Sequence, residues 1–290
     1  MTQLSTKLKV AIHEAFLPVL RFILPVVRWL DKKTYYHEAL RLNRELFSHV
    51  SNIPVEEIDF VKNKIREIAN AGKYDATYRE TWVSHGPRLA LSKRWIQEAL
   101  QDRSGNLTGL DLGTRSIATE LWSLWFPQVQ WRNTDFDLRA SWDVPTSSVD
   151  VVVCTELVEH LPDVLDGKTF NETFVASGLK GLLGEAWKAL KPGGFLFITT
   201  PNASSVLHVK AVLEKRPPWF FDRHIREYTL DELLPFIQQA EFHVQRAEAV
   251  HCMTVFGITD FVAQFEFLVA NGYPTDGRGD DLFILARKPT

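Results

Sequence analysis

A doubly wound α/β fold with a mostly parallel sheet, preceded by an N-terminal helical extension, is what this 290-residue sequence predicts. Three observations predict it. The run Val151, Val152, Val153, Cys154 sets four apolar residues in a row, the pattern of a strand buried on both faces in the middle of a parallel sheet. Apolar runs of strand length then alternate with helix-period segments from about residue 108 onward. Between residues 34 and 102 the spacing is helical, with Leu40, Leu42, Leu46, Phe47 and later Ile58, Val61, Ile65 and Ile68 mostly three or four positions apart.

The extension contains AFLPVLRFILPVVRWL at residues 15–30, which is strongly apolar but interrupted by Pro18, Arg21, Pro25 and Arg28. That segment is too short and too charged to span a bilayer. His13 and Glu14 just before it, and the lack of a small-residue cleavage site, argue against a signal peptide. Two readings of it stay open. It is a helix packed on its own domain or on a twin subunit in a homo-oligomer, or it lies on an anionic membrane surface. For the latter, Lys7, Lys9, Arg21, Arg28, Lys32 and Lys33 surround Phe16, Phe22 and Trp29.

The turn-rich stretch QDRSGN at 101–106 divides a helical extension, residues 1–100, from an α/β domain, residues 101–290. The predicted order in that domain is strand 108–113, helix 116–126, strand 129–135, strand 149–155, helix 178–190, strand 194–200, helix 230–240, strand 242–250, helix 258–270 and strand 281–287. Lys191, Pro192, Gly193 and Gly194 predict a tight turn before the fourth strand, with glycine supplying a positive φ. Thr229 and Glu232 form a capping box for the helix after them.

Composition narrows the function. A formal net charge of −3 gives no global field for polymeric nucleic acid. Two cysteines, Cys154 and Cys252, are too few for a disulfide scaffold, lack metal-ligand spacing and favour a reducing cytoplasm. The sequence predicts no metal site.

In wording as well as pattern, SSVDVVVCTELVEHL at 147–161 resembles the fourth strand of class I S-adenosylmethionine (SAM) dependent methyltransferases, of the type 11/23 group. EAWKALKPGGFLFITTPN at 185–202 is similar to their fifth-strand motif, and the HIREYT of residues 224–229 to a phrase before the sixth strand of enzymes acting on small molecules and glycans. TGLDLGTRS at 108–116 resembles the first, cofactor-binding motif in part: Asp111 and Gly113 are kept, while Arg115 and Ser116 replace later glycines. The resemblance spans about 105–287 and implies a Rossmann-like sheet, SAM as cofactor and methyl transfer.

The resemblance also implies a site. Asp111 and Gly113 lie beside the amino acid portion of SAM. Asp135, 24 positions after Asp111, and its rival Asp137 are the carboxylates for the ribose and the adenine side, in an order left open. The stretch from Asp137 to Asp150 is too short for the family's usual third strand and its helix. Cys154, Thr155 and Glu156 pass beside the sulfonium, where a carboxylate suits a cation. A helix starting near Glu156 sets Glu156 and His160 one turn apart, and His160 or His224 accepts the proton of a hydroxyl acceptor; a loop-fixing role is the alternative. Trp219 and Phe220 form an aromatic lid, and Arg226 and Tyr228 bind a polar acceptor, unless Arg226 pairs with Glu227 to hold the following helix. The expected reaction is methyl transfer to oxygen on a small molecule or glycan. The rivals are a methyltransferase-like domain without catalysis and a membrane-surface protein.

Overall fold

The computed structural model of the chain describes residues 51–163, 177–252 and 258–290. Residues 15–30, with both readings of them, lie outside the described residues. Among the described residues no helix is long and apolar enough to cross a membrane.

Three helices come first: α1 (Val55–Ala71), α2 (Ala76–Ser84) and α3 (Gly86–Leu100). There follow β1 (Leu107–Asp111), α4 (Ile117–Trp125), β2 (Val129–Asn133), β3 (Val149–Thr155), a 3₁₀ turn at Val158–His160 and α5 (Ser177–Ala189). The chain continues through β4 (Leu190–Pro201), α6 (Val206–Leu213), α7 (Leu230–Gln239), β5 (His243–Val250), α8 (Ile258–Ala270) and β6 (Asp281–Arg287). Every strand and helix expected after residue 107 is present within a few positions of its predicted bounds.

The six strands form one sheet in the order β2-β1-β3-β4-β6-β5. β2, β1, β3 and β4 run parallel, and β6 enters between β4 and β5 antiparallel to both. The short stretch between β2 and β3 holds no strand, so β2 is an edge.

Alternation along the strands divides the core into two layers. Val151 and Val153 of β3, Phe197 of β4 and Phe283 of β6 face α1, α3 and α4, where they meet Ile65, Trp95 and Trp122. Val152, Cys154, Leu196, Ile198 and Ile284 face α5 and α7, where they meet Leu182, Leu183, Leu233 and Ile237. Helices therefore cover both faces, which is why β3 reads as a continuous apolar run. α3 packs by Trp95, whose ring lies 5.7 Å from that of Phe283 and 6.2 Å from that of Phe197. The helices before residue 100 thus share a core with the sheet.

Gly193 has the expected positive φ of 74°. The register between β3 and β4 slips across this turn, pairing Val149 with Leu190 but Val151 with Phe195. The capping box of α7 is formed as expected, Thr229 and Glu232 each accepting from the other's backbone N–H.

Candidate functional site at the carboxyl rim

The parallel strands end together at Asp111, Asn133, Thr155 and Pro201, and the loops that leave them form the candidate site. After β1 the chain turns at Gly113, whose φ of +93° suits glycine. A Cβ there would come to 3.0 Å from Leu157 Cδ1, a tight contact that a small shift of that side chain would relieve, so the φ is the stronger reason for glycine. Thr134 clamps it from β2, its Oγ1 accepting from Gly113 N at 2.6 Å and its own N–H donating to the Gly113 carbonyl at 3.1 Å. Asp135, the next residue, is exposed beside this loop. Asp137 is exposed too, but Arg139 holds it in a bidentate pair at 2.7 and 2.9 Å that lowers its carboxyl to about 2.

Asp111 departs from expectation. It is 3% exposed, and its carboxylate turns inward to accept from Thr119 Oγ1 of α4 and Asn133 Nδ2 of β2. It fastens the loop from beneath. Burial, only partly offset by those hydrogen bonds, raises its pKa from the ordinary 3.8 to about 6. The folded protein thus holds this proton more tightly than the unfolded chain. The group's contribution is most favourable below pH 3.8 and is lost as pH rises through about 6. Full ionisation costs about 3 kcal/mol. We expect Asp111→Asn to gain about 2 kcal/mol on the parent between about pH 4.5 and about pH 7.5 in urea melts. Parallel pH profiles for the two proteins would exclude this.

The tip of β3 departs further. Cys154 is fully buried and faces the α5 and α7 layer, so its thiol is a core group and not a cofactor contact. Glu156 takes a left-handed conformation with φ of 51°, and its N–H donates to the Thr199 carbonyl. No α-helix begins there; the chain makes only the 3₁₀ turn, so the expected one-turn spacing of Glu156 and His160 is not formed. The Glu156 carboxylate accepts from Thr199 Oγ1 at 2.9 Å and pairs with Arg88 of α3 at 2.5 Å. Arg88 is 6% exposed and also lies 3.8 Å from Asp281, which is fully buried at the start of β6. Burial holds Asp281 and Glu159 well above the ordinary carboxylate range. Glu156, Glu159 and Asp281 all face the one guanidinium of Arg88, and burial favours the protonated forms of Glu159 and Asp281. Arg88, which completes this group, is the residue the motifs missed. Its only local signal is a charge directly before the apolar stretch Leu89, Ala90, Leu91.

Beyond the 3₁₀ turn the segment before α7 folds back. Ile225 N and Arg226 N both donate to the Glu159 carbonyl, at 2.8 and 3.2 Å, which brings His224 against His160 with ring centroids 4.8 Å apart. Burial and His224 hold the His160 imidazole below its ordinary pKa. Glu227 does not pair with Arg226. It accepts from His224 Nδ1 at 2.5 Å, His208 Nε2 at 2.6 Å and Phe220 N at 2.7 Å, and these bonds outweigh burial to keep it below the ordinary range. Arg226 instead pairs with Glu232 at 3.1 Å and stacks over Tyr228. Tyr228 is 1% exposed, packed in the core, with burial pushing its phenol up to about 12. Trp219 is 48% exposed.

A family model described as a methyltransferase domain matches residues 82–247, more than half of the chain. The chain belongs to this family. As a class I SAM-dependent methyltransferase domain, it has curated relatives named ubiquinone biosynthesis O-methyltransferase. The Idiomarina loihiensis protein is 31% identical over 111 residues, covering 37% of this chain and 38% of that protein. The Paracidovorax citrulli protein is 25% identical over 121 residues, covering 41% and 44%. The chain therefore aligns with well under half the length of these relatives. A crystal structure of a SAM dependent methyltransferase from Archaeoglobus fulgidus is also similar, at 16% identity and a TM-score of 0.44, covering 69% of this chain and 94% of that one.

Proposed function

We propose that the chain transfers a methyl group from SAM to an oxygen of a small-molecule acceptor, with the donor lying between the Gly113 loop and the tip of β3. When bound, SAM supplies a methyl carbon activated by a sulfonium charge. The observation that carries this reading is the gathering of Glu156, Glu159 and Asp281 about Arg88 at the rim where the family places that charge. Gly113, at a φ of +93° that suits glycine, leaves its backbone open to the ligand's amino acid end. Asp135, and not Asp137, accepts from the ribose hydroxyls, because Asp137 is already committed to Arg139. His160 and His224 face the acceptor, with Trp219 at the outer edge of its pocket. Positioning and exclusion of water are the protein's main contributions to an in-line displacement. The names of the curated relatives favour an oxygen acceptor; a glycan hydroxyl belongs to the same chemical class. The helical extension, residues 1–100, carries part of the site through Arg88.

Calorimetric titration with SAM tests the donor site. We expect Asp135→Ala to weaken SAM by at least about 10-fold, the value of a charge-assisted hydrogen bond, while Asp137→Ala stays within about 2-fold. Unchanged affinity in Asp135→Ala overturns the ribose assignment. One observation favours a second reading, a methyltransferase-like domain without catalysis. Among the described residues, two open depressions of about 570 and 440 Å³ lie on the α3 side and toward the amino edge of the sheet, away from the rim, lined by residues such as Gln101, Arg103 and Arg287, and Glu57 and Arg94. Absence of heat on SAM addition would select it.

A further inference from the structure

We infer that Glu159, His160 and His224 form a binding site for one first-row divalent transition-metal ion, which holds the acceptor oxygen. This rests on the methyltransferase reading for its purpose but not for its geometry. One donor atom from each of the three residues lies within 4.8 Å of the others.

The proton inventory makes the cluster a metal site in preference to a hydrogen-bonded one. Glu159 Oε2 accepts from Thr200 Oγ1 at 2.8 Å, but Oε1 is buried with no hydrogen-bond partner among the described residues. A buried carboxylate oxygen without a donor is costly. His160 Nε2, 3.8 Å from that oxygen, is too distant to satisfy it. His160 Nδ1 lies 3.3 Å from the carbonyl of Arg223, which can only accept, so this nitrogen carries the hydrogen and Nε2 presents a lone pair. His224 Nδ1 faces the carboxylate of Glu227 at 2.5 Å and likewise carries the hydrogen, leaving its Nε2 as a lone pair. Three potential ligand atoms therefore converge, and the buried Glu159 oxygen among them has no hydrogen-bond partner among the described residues. A cation resolves that arrangement.

The supporting contacts match those that orient metal-binding histidines: one ring nitrogen on the ion, the other donating to a carboxylate or carbonyl. Glu227 is itself fixed by His208 and Phe220 N, and the two hydrogen bonds to the Glu159 carbonyl hold the His224 loop in register. Tetrahedral coordination at about 2.1 Å needs donor pairs about 3.4 Å apart, so the donors close by about 1 Å when the ion enters. His160 is the group free to move, with 39% of its side chain exposed. Two imidazoles and one carboxylate suit zinc, iron, cobalt or manganese better than magnesium or calcium, and leave coordination positions open for an oxygen of the acceptor.

The full chain, stripped with a chelator, is titrated with Zn²⁺ by calorimetry and with Co²⁺ by visible absorption. One ion per chain is expected. His160→Ala and His224→Ala are expected to weaken it at least about 100-fold, and Glu227→Gln about 10-fold. No binding, or equal affinity in parent and His160→Ala, overturns the site. His160→Ala is decisive because a half-exposed side chain can be removed without unfolding; circular dichroism verifies this. SAM titrated into the same samples separates the two proposals. SAM binding without metal binding removes only the cation site, and metal binding without SAM binding removes only the methyl-donor reading.

Discussion

Arg88→Met is expected to destabilise the protein by about 3–5 kcal/mol near neutral pH. The guanidinium is the buried cation between Glu156, 2.5 Å away, and Asp281, 3.8 Å away, and both Arg88 and Asp281 lie out of solvent. Removing it takes the cation from Glu156 and leaves the buried Asp281 without a positive partner. Loss of one partner of a buried pair costs far more than loss of both. The double variant Arg88→Met with Glu156→Gln should therefore recover more than half of the loss. Lowering the pH should recover part of it as well. Asp281 is already held above the ordinary range by burial, so it takes up its proton readily, and the cost grows as pH rises. Urea melts at two pH values measure both effects. A single variant within about 1 kcal/mol of the parent would remove Arg88 from its assigned role.

This pair marks the limit of what the sequence discloses. β3 was legible because burial on both faces leaves an uninterrupted apolar run, and the Gly193 turn because only glycine enters its φ region without strain. The antiparallel entry of β6 between β4 and β5 was not, since residue periodicity carries no strand direction. The distance from Asp111 set Asp135 just past the end of β2, where it is exposed. The inward turn of Asp111 could not be placed, because it depends on Thr119 and Asn133 arriving from two other elements. Glu156 was expected to start a helix on local grounds. It sits instead at positive φ because its N–H, its carboxylate and Thr199 are joined across strands, and because Arg88 reaches it from 68 positions upstream. His160 and His224 were both named, yet their meeting with Glu159 follows from two backbone hydrogen bonds that no spacing encodes.

Trp95→Ala should cost about 3–5 kcal/mol, the range for emptying a buried indole site. Trp95 is 1% exposed on α3 and fills the space between Phe197 of β4 and Phe283 of β6, with the Arg246 guanidinium 4.0 Å from its ring. Trp95→Phe should lose much less, under about 1.5 kcal/mol. The buried indole N–H has no acceptor among the described residues, and removing it relieves a penalty that offsets part of the lost area. The consequence for function follows from the position of Arg88 two turns earlier on the same helix. If α3 is held to the sheet by Trp95, the Ala variant will lose SAM affinity together with stability, whereas the Phe variant will keep both. A Trp95→Ala protein that unfolds at a lower urea midpoint with unchanged SAM affinity would separate the anchoring of α3 from the site. A protein with an unchanged midpoint would mean that the sheet does not depend on this helix.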